Sequence, residues 1–204
     1  MGKSWSASQD KRENHLGLLA LATAALRDDD FRAALELLDS TRAHVPVEEV
    51  AFHSTARRLM SNAFNLLGDP ERALHEAEAG LNALPDTGFM RERIGLRNVK
   101  AEALLYMGDR FSEAFTLFAQ NARMADSAKF TTGQCGSENG MGLIRLNQGR
   151  FTEAWEHFNE SLRLARASGS EMLMQNAVAN LSTTATMDGR YDLAQRLCDS
   201  LLTE

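Results

Sequence analysis

A short pattern recurs along this chain at a nearly constant interval. Five times, an aromatic residue or a proline is followed three positions later by alanine. The first residues of these patterns are Phe31, Pro70, Phe111, Phe151 and Tyr191, so the intervals are 39, 41, 40 and 40 residues. A fixed period in this range is typical of stacked helical hairpins, in which each repeat buries its apolar face against the next. The period therefore predicts one repeat architecture for the chain.

The amino-acid composition favours helices throughout. The 204 residues include only three prolines. Alanine, leucine, glutamate and arginine, which lose little side-chain freedom in a helix, are abundant. We therefore predict an all-α fold. The formal net charge is −6, and an acidic surface repels phosphate backbones, so nucleic acid is not expected as a partner.

Each repeat is predicted to be two antiparallel helices joined by a tight turn. Gly68, Gly108, Gly149 and Gly189 come just before the repeated pattern, where glycine can end a helix in the left-handed conformation. The first repeat has aspartates there instead, a weaker stop. The helices are predicted near residues 13–27, 31–44, 49–67, 70–84, 90–107, 110–125, 133–148, 151–167, 171–188 and 191–203.

The predicted organisation is an N-terminal tail followed by a single domain. The tail covers residues 1–12 and the domain 13–204, with repeats at about 13–47, 48–87, 88–127, 128–168 and 169–204. The stretch 127–140 is expected to be the least regular and locally mobile. Its glycines, Gly133, Gly136 and Gly140, weaken the start of a helix.

Two features bear on the compartment of the protein. The apolar run 16–26 has the length of a signal-peptide core, but Asp10 and Glu13 stand before it, where a signal peptide carries positive charge. The run also keeps the register of the repeats. No segment reaches the length of a membrane helix, so no membrane association is expected. Two isolated cysteines, Cys135 and Cys198, suit a reducing compartment, and we predict a cytoplasmic protein.

These repeats resemble the tetratricopeptide repeat (TPR) family. The second repeat is similar to the family pattern through Gly68, Pro70, Ala73, Ala77 and Pro85. The other repeats match it in part, since the first has aspartates in place of the turn glycine and the last three lack the final proline. The third departs by one residue, Arg110, which leaves the register of its first helix open. The resemblance implies a right-handed α-solenoid of five helix-turn-helix repeats that binds a protein or peptide. The period near forty is similar to that of repeat regions in bacterial signalling proteins, which implies a regulatory or sensory role.

The resemblance also implies where a partner would bind, because the first helices of the family line a groove. The positions that match are Arg58, Asn62 and Asn65 in the second repeat, Asn98, Glu102 and Tyr106 in the third, Asn139, Leu143 and Asn147 in the fourth, and Asn176 and Thr183 in the fifth. An asparagine amide both donates and accepts hydrogen bonds, so a row of asparagines could hold a peptide backbone. The alternative is that they are neutral polar residues on a solvated face.

No sequence motif indicates catalysis. The histidines at 15, 44, 53, 75 and 157 include no pair at metal-ligand spacing on one helix. Cys198 falls at an expected core position of the last helix, where a thiol behaves as a small apolar group. We predict a protein that is not an enzyme and has no cofactor and no bound metal.

The last helix suggests a second class of function. The sequence ends at Glu204, directly after an amphipathic helix and without a polar capping helix. Leu193, Leu197 and Leu201 would then form an open apolar edge. Either the chain is part of a longer protein, or this edge pairs with a second copy in a homodimer.

Overall fold

The computed structural model describes residues 2–201, and their side chains over 15–200. This part of the chain contains ten α-helices and no β-strand. The helices are α1 (Gly2–Arg27), α2 (Phe31–Arg42), α3 (Val50–Leu66), α4 (Pro70–Ala83), α5 (Met90–Tyr106), α6 (Phe111–Ser127), α7 (Thr131–Asn147), α8 (Phe151–Ser168), α9 (Glu171–Met187) and α10 (Tyr191–Leu201). The all-α repeat fold predicted from the period is confirmed. None of the described helices is long and apolar enough to cross a membrane.

The repeated sequence pattern marks the same structural position in every repeat. Its aromatic residue or proline is the first residue of the second helix in each consecutive pair. The alanine three positions later is buried in all five pairs. A small side chain at this point lets two helix backbones approach closely, as the pattern predicts.

The turns within the pairs follow the predicted chemistry. The turn glycines have positive φ angles, for example 75° at Gly68 and 70° at Gly149. In the first pair Asp29 adopts φ 57° without the help of a glycine. Asp69 then caps α4, since its Oδ1 accepts a hydrogen bond from the backbone N–H of Arg72 at 3.1 Å, and Pro70 takes the first helical position.

The chain divides into two compact units, Met1–Met107 and Gly108–Glu204. In the first unit, α3 packs between α1 and α5, and α2 and α4 pack across these three helices. The core of this unit includes Leu19, Leu38, Phe52, Leu59 and Phe64. In the second unit α7 contacts α6, α8 and α9, and α10 packs on α9. The prediction of a single solenoid domain over 13–204 stays a prediction.

Three local expectations differ from the structure. Helix α1 begins at Gly2, whereas a helix was predicted only from residue 13. The stretch predicted to be irregular lies mostly in the continuous helix α7. There Gly140 faces the ring of Phe118, which takes the space of a side chain, so this glycine serves close packing. Cys198 is exposed and not in the core, since α10 packs against only α9 within its unit, as far as the structure describes it.

Candidate ligand-binding face of the first unit

The predicted residues of the second repeat lie on one face of α3. Arg58, Asn62 and Asn65 are spaced four and three residues apart, which places them in a line along a helix. Helix α5 packs beside α3 and carries Asn98, Glu102 and Tyr106. The structure therefore brings the candidates of the second and third repeats to two neighbouring helices. We call these six residues the α3–α5 face.

The register of α5, which the sequence leaves open, follows from burial. In α3 the small buried residue Ser61 precedes the repeated Ala73 by twelve positions, and its Oγ donates a hydrogen bond to the Ala73 carbonyl at 2.8 Å. In α5 the corresponding small buried residue is Ala101, thirteen positions before Ala114, because the turn is one residue longer. Asn98 and Glu102 thus occupy the same places in α5 that Arg58 and Asn62 occupy in α3.

Arg58 extends across the gap between the two helices. A Cβ atom placed on Gly95 of α5 would lie 2.9 Å from Cδ and 3.6 Å from Nε of Arg58. The absent side chain of Gly95 therefore leaves the space that the arginine stem fills. Gly95 is a functional candidate that the sequence analysis missed. Its signal would have been a glycine in the middle of a helix, which ordinarily weakens that helix.

Glu102 is a desolvated carboxylate close to this arginine. Burial raises its pKa to about 7, and the charge of Arg58 opposes the rise only in part. Burial also lowers the pKa of Arg58, which the charge of Glu102 partly offsets. The face thus holds an acidic and a basic group, and the charge of each acts on the pKa of the other.

Asn65 lies deeper on the same face. It is only 6% exposed, and neither its Nδ2 nor its Oδ1 has a hydrogen-bond partner within the described chain. Native structures rarely leave buried amides in this state, because the lost hydration is not replaced. A donor and an acceptor at the end of the α3–α5 face therefore still need a partner from outside the protein.

The remaining candidates of the first unit differ in accessibility. Asn62 is partly exposed. Asn98 is 8% exposed and has a partner, so it contributes to packing between the elements around it. Tyr106 is 52% exposed at the end of α5. Partial burial and the charge of Glu102 raise the pKa of the Tyr106 hydroxyl.

In the second unit most predicted residues are already engaged. The Nδ2 of Asn180 donates to Oδ1 of Asn139 at 2.7 Å, which links α9 to α7. Asn147 and Thr183 donate to backbone carbonyls of their own helices, and Leu143 packs on the core around Phe158. Asn176 is exposed. This unit presents no group comparable with Arg58 and Glu102 among these candidates.

Two residues of the predicted dimer edge have described side chains, and the edge itself stays a prediction. Leu193 and Leu197 are partly buried, and Leu197 packs on the core around Phe158. The Leu201 side chain lies outside the described residues. For metals, residues 15–200 contain no group of three or more His, Cys, Asp and Glu side chains that could hold an ion.

Solved structures of other proteins share the fold of this chain. A Rap protein complexed with Competence and Sporulation Factor superposes over 92% of this chain and 52% of its own, with a TM-score of 0.78 and 14% identity. PlcR from Bacillus thuringiensis, in complex with the peptide PapR7 and DNA, superposes over 93% of this chain and 71% of its own, with a TM-score of 0.74 and 12% identity. A signal-transduction ATPase from Pyrococcus horikoshii with a tetratricopeptide repeat sensor superposes over 93% of this chain and 29% of its own, with a TM-score of 0.64 and 16% identity.

The chain has a TPR-like fold. The TPR-like chain spans about half the length of the Rap protein and less than a third of the ATPase. No protein-family model matches the sequence, and no curated protein matches it at a significant level. The likeness therefore lies in the three-dimensional arrangement of the helices.

Proposed function

We propose that this TPR-like chain is a scaffold that binds a peptide or an extended protein segment on the α3–α5 face. Two structural neighbours support this proposal, since PlcR was solved with the peptide PapR7 and the Rap protein with Competence and Sporulation Factor. The ATPase neighbour carries its repeats as a sensor. We further propose that this chain is a regulatory or sensory part of a cytoplasmic signalling protein. The proposed role is binding, and no catalytic step is assigned to any residue.

The observation that carries the proposal is a cluster of polar groups on one face, of which the buried Asn65 amide has no hydrogen-bond partner among the described residues. Arg58 and Glu102 lie on the same face, where burial shifts the pKa of each toward its neutral form. An extended peptide offers one N–H and one C=O per residue, together with its charged ends or side chains. Such a ligand would supply donors to Glu102, acceptors to Arg58 and both to the asparagines. The preformed helices would lower the ordering cost of binding on the side of the protein.

A peptide selection followed by mapping tests this proposal. A random twelve-residue peptide library is selected against the full chain, and hydrogen–deuterium exchange is measured with and without the selected peptide. We expect added protection in α3 and α5. Protection confined to other helices would contradict the proposed site, and the absence of any selected peptide would contradict peptide binding.

The acidic character of the chain bears on a different partner. PlcR was solved with DNA as well as with a peptide. This chain has a net charge of −6, and binding to a phosphate backbone depends on positive charge. We therefore propose a peptide or protein partner and no nucleic acid. Homodimerisation through Leu193, Leu197 and Leu201 stays a prediction, which light scattering over a concentration series would decide.

A further inference from the structure

A cavity of about 450 Å³ lies in the first unit, away from the α3–α5 face. Its walls come from the end of α2 and the loop after it, the first half of α3 and the end of α4. The lining residues are Asp39, Arg42, Ala43, Val47, Val50, His53, Ser54, Arg57, Gly80 and Ala83. A volume in this range suits a small organic molecule.

Arg42 is short of hydrogen-bond acceptors. Its Nη1 donates to the thioether sulfur of Met60 at 3.0 Å, a weak acceptor. Nη1 lies 3.6 Å from Oε2 of Glu76 and 3.7 Å from Oδ1 of Asp39, which is beyond hydrogen-bonding distance. Its Nε is buried and has no partner among the described residues. Within residues 15–200, the Arg42 guanidinium therefore forms no hydrogen bond to an oxygen atom.

The second arginine of the cavity is already paired. Nη1 of Arg57 lies 2.6 Å from Oε2 of Glu76, and both side chains are largely buried. Because the Glu76 carboxylate pairs with Arg57, it lies farther from Arg42, at 3.6 Å from Nη1. Of the two cations, Arg42 is the one that has no oxygen acceptor within hydrogen-bonding distance among the described residues.

The rest of the cavity is mainly apolar or small. Val47 is 78% exposed, and Val50, Ala43 and Ala83 complete this wall. Ala43, directly after α2, and Ala83 on α4 have small side chains, so the cavity has an apolar side next to Arg42.

We propose that this cavity binds a small carboxylate with an apolar body. The carboxylate would supply the oxygen acceptors that Arg42 lacks, and planar guanidinium groups match carboxylates well. The apolar body would cover Val47 and Val50. The carboxylate belongs either to a free organic acid or to the C-terminal residue of a peptide. The cavity shares no lining residue with the α3–α5 face, so this proposal does not depend on the proposed peptide binding.

Three probes distinguish these sources. ¹H–¹⁵N spectra of the full chain are recorded during titration with isovalerate, N-acetyl-leucine and N-acetyl-leucinamide. We expect at least one of the two acids to shift the amide signals of residues 39–57 with a dissociation constant on the order of millimolar, as befits such small probes. A response to isovalerate alone assigns a free acid, and a response to acetyl-leucine alone assigns a peptide C-terminus. If the neutral amide binds as well as the acids, or if nothing binds, the proposal is wrong.

Variants test the role of each wall. Arg42→Gln should weaken the binding of the acid at least about tenfold. Asp39→Asn removes a competing carboxylate near the guanidinium and should strengthen binding about two- to threefold, an effect that damage to the fold would not produce. Ala83→Leu should fill the cavity and abolish binding, whereas Ala33→Leu, on the exposed side of α2, is its matched control. Equal affinity in wild type, Arg42→Gln and Ala83→Leu would overturn the proposed site.

Discussion

The side chain of Arg58 occupies the space that any side chain at Gly95 would need, since a Cβ at Gly95 would lie 2.9 Å from Cδ of Arg58. The glycine of α5 and the arginine of α3 thus form one structural feature. It holds a charged group close to Glu102 at the boundary between the two helices.

Substitution of Gly95 tests the contact directly. An alanine in a helix is more favourable than glycine, so Gly17→Ala, in open space on α1, should raise the free energy of unfolding by about 1 kcal/mol. Gly95→Ala must displace Arg58, and we expect its gain to fall to about 0.3 kcal/mol or less. Urea denaturation measures both. Equal gains in the two variants would show that Arg58 does not pack against position 95.

Glu102 should make the stability of the protein depend on pH. Its folded pKa is raised to about 7 from an ordinary value of 4.5, so the folded state binds the proton more tightly than the unfolded state does. Stability should therefore fall as the pH rises from about 4.5 to about 7 and level off above that range. Glu102→Gln removes this loss, so its advantage over wild type should grow to about 1–3 kcal/mol at pH 8.

The control for this titration is Glu78→Gln. Glu78 is an exposed carboxylate on α4 that pairs with Lys100 at 2.9 Å, so its neutralisation should change stability little. Urea denaturation at pH 5, 6, 7 and 8 gives the comparison. An advantage of Glu102→Gln that is the same at pH 5 and pH 8 would contradict a carboxyl group whose pKa is raised by burial.

The buried Asn65 amide, which has no partner in the described chain, should lower the free energy of unfolding of the protein. Asn65→Leu keeps the number and branching of the side-chain heavy atoms and removes a buried amide without partners in the described chain, so the free energy of unfolding should rise by about 1–2 kcal/mol. The matched variant Asn62→Leu changes a partly exposed amide and should bring no such gain. Thermal unfolding measures both. A loss of stability in Asn65→Leu would mean that the amide has a partner in solution.

Much of the fold could be predicted from the sequence, because the repeated residues do the same work in every repeat. Ala73 and Ala154 are fully buried, as the pattern requires, and the turn glycines have positive φ. The role of Gly140 could not be predicted. A glycine inside a helix indicates weakness when it is considered alone, and only the position of the Phe118 ring shows that the space beside it is filled.

The candidate site could be predicted only in part, for a related reason. Helical spacing shows which side of α3 carries Arg58 and Asn62, but it does not give the depth of each side chain. Asn65 and Asn98 lie on the predicted face and are more than 90% buried. Depth depends on the neighbouring helix, and here the long side chain of Arg58 crosses to α5 because residue 95 is glycine.

A double-mutant cycle tests how Gly140 and Phe118 pack. Gly140→Ala forces a methyl group into the Phe118 ring and should cost about 1–3 kcal/mol. Phe118→Leu alone should also destabilise by leaving a cavity. The double variant should cost at least about 1 kcal/mol less than the two single costs together, because the smaller leucine makes room for the methyl group. Additive costs in urea denaturation would contradict direct packing.

Binding of an extended ligand to the α3–α5 face can be tested by affinity measurements on single variants. A peptide selected against the full chain is titrated calorimetrically into wild type, Asn62→Ala and Asn147→Ala. Asn62 is partly exposed on the face, whereas Asn147 donates to the carbonyl of Leu143 in its own helix. We expect Asn62→Ala to weaken binding about tenfold, as the loss of a buried hydrogen bond would, and Asn147→Ala to leave the affinity unchanged. Equal affinity in all three proteins would contradict binding at this face.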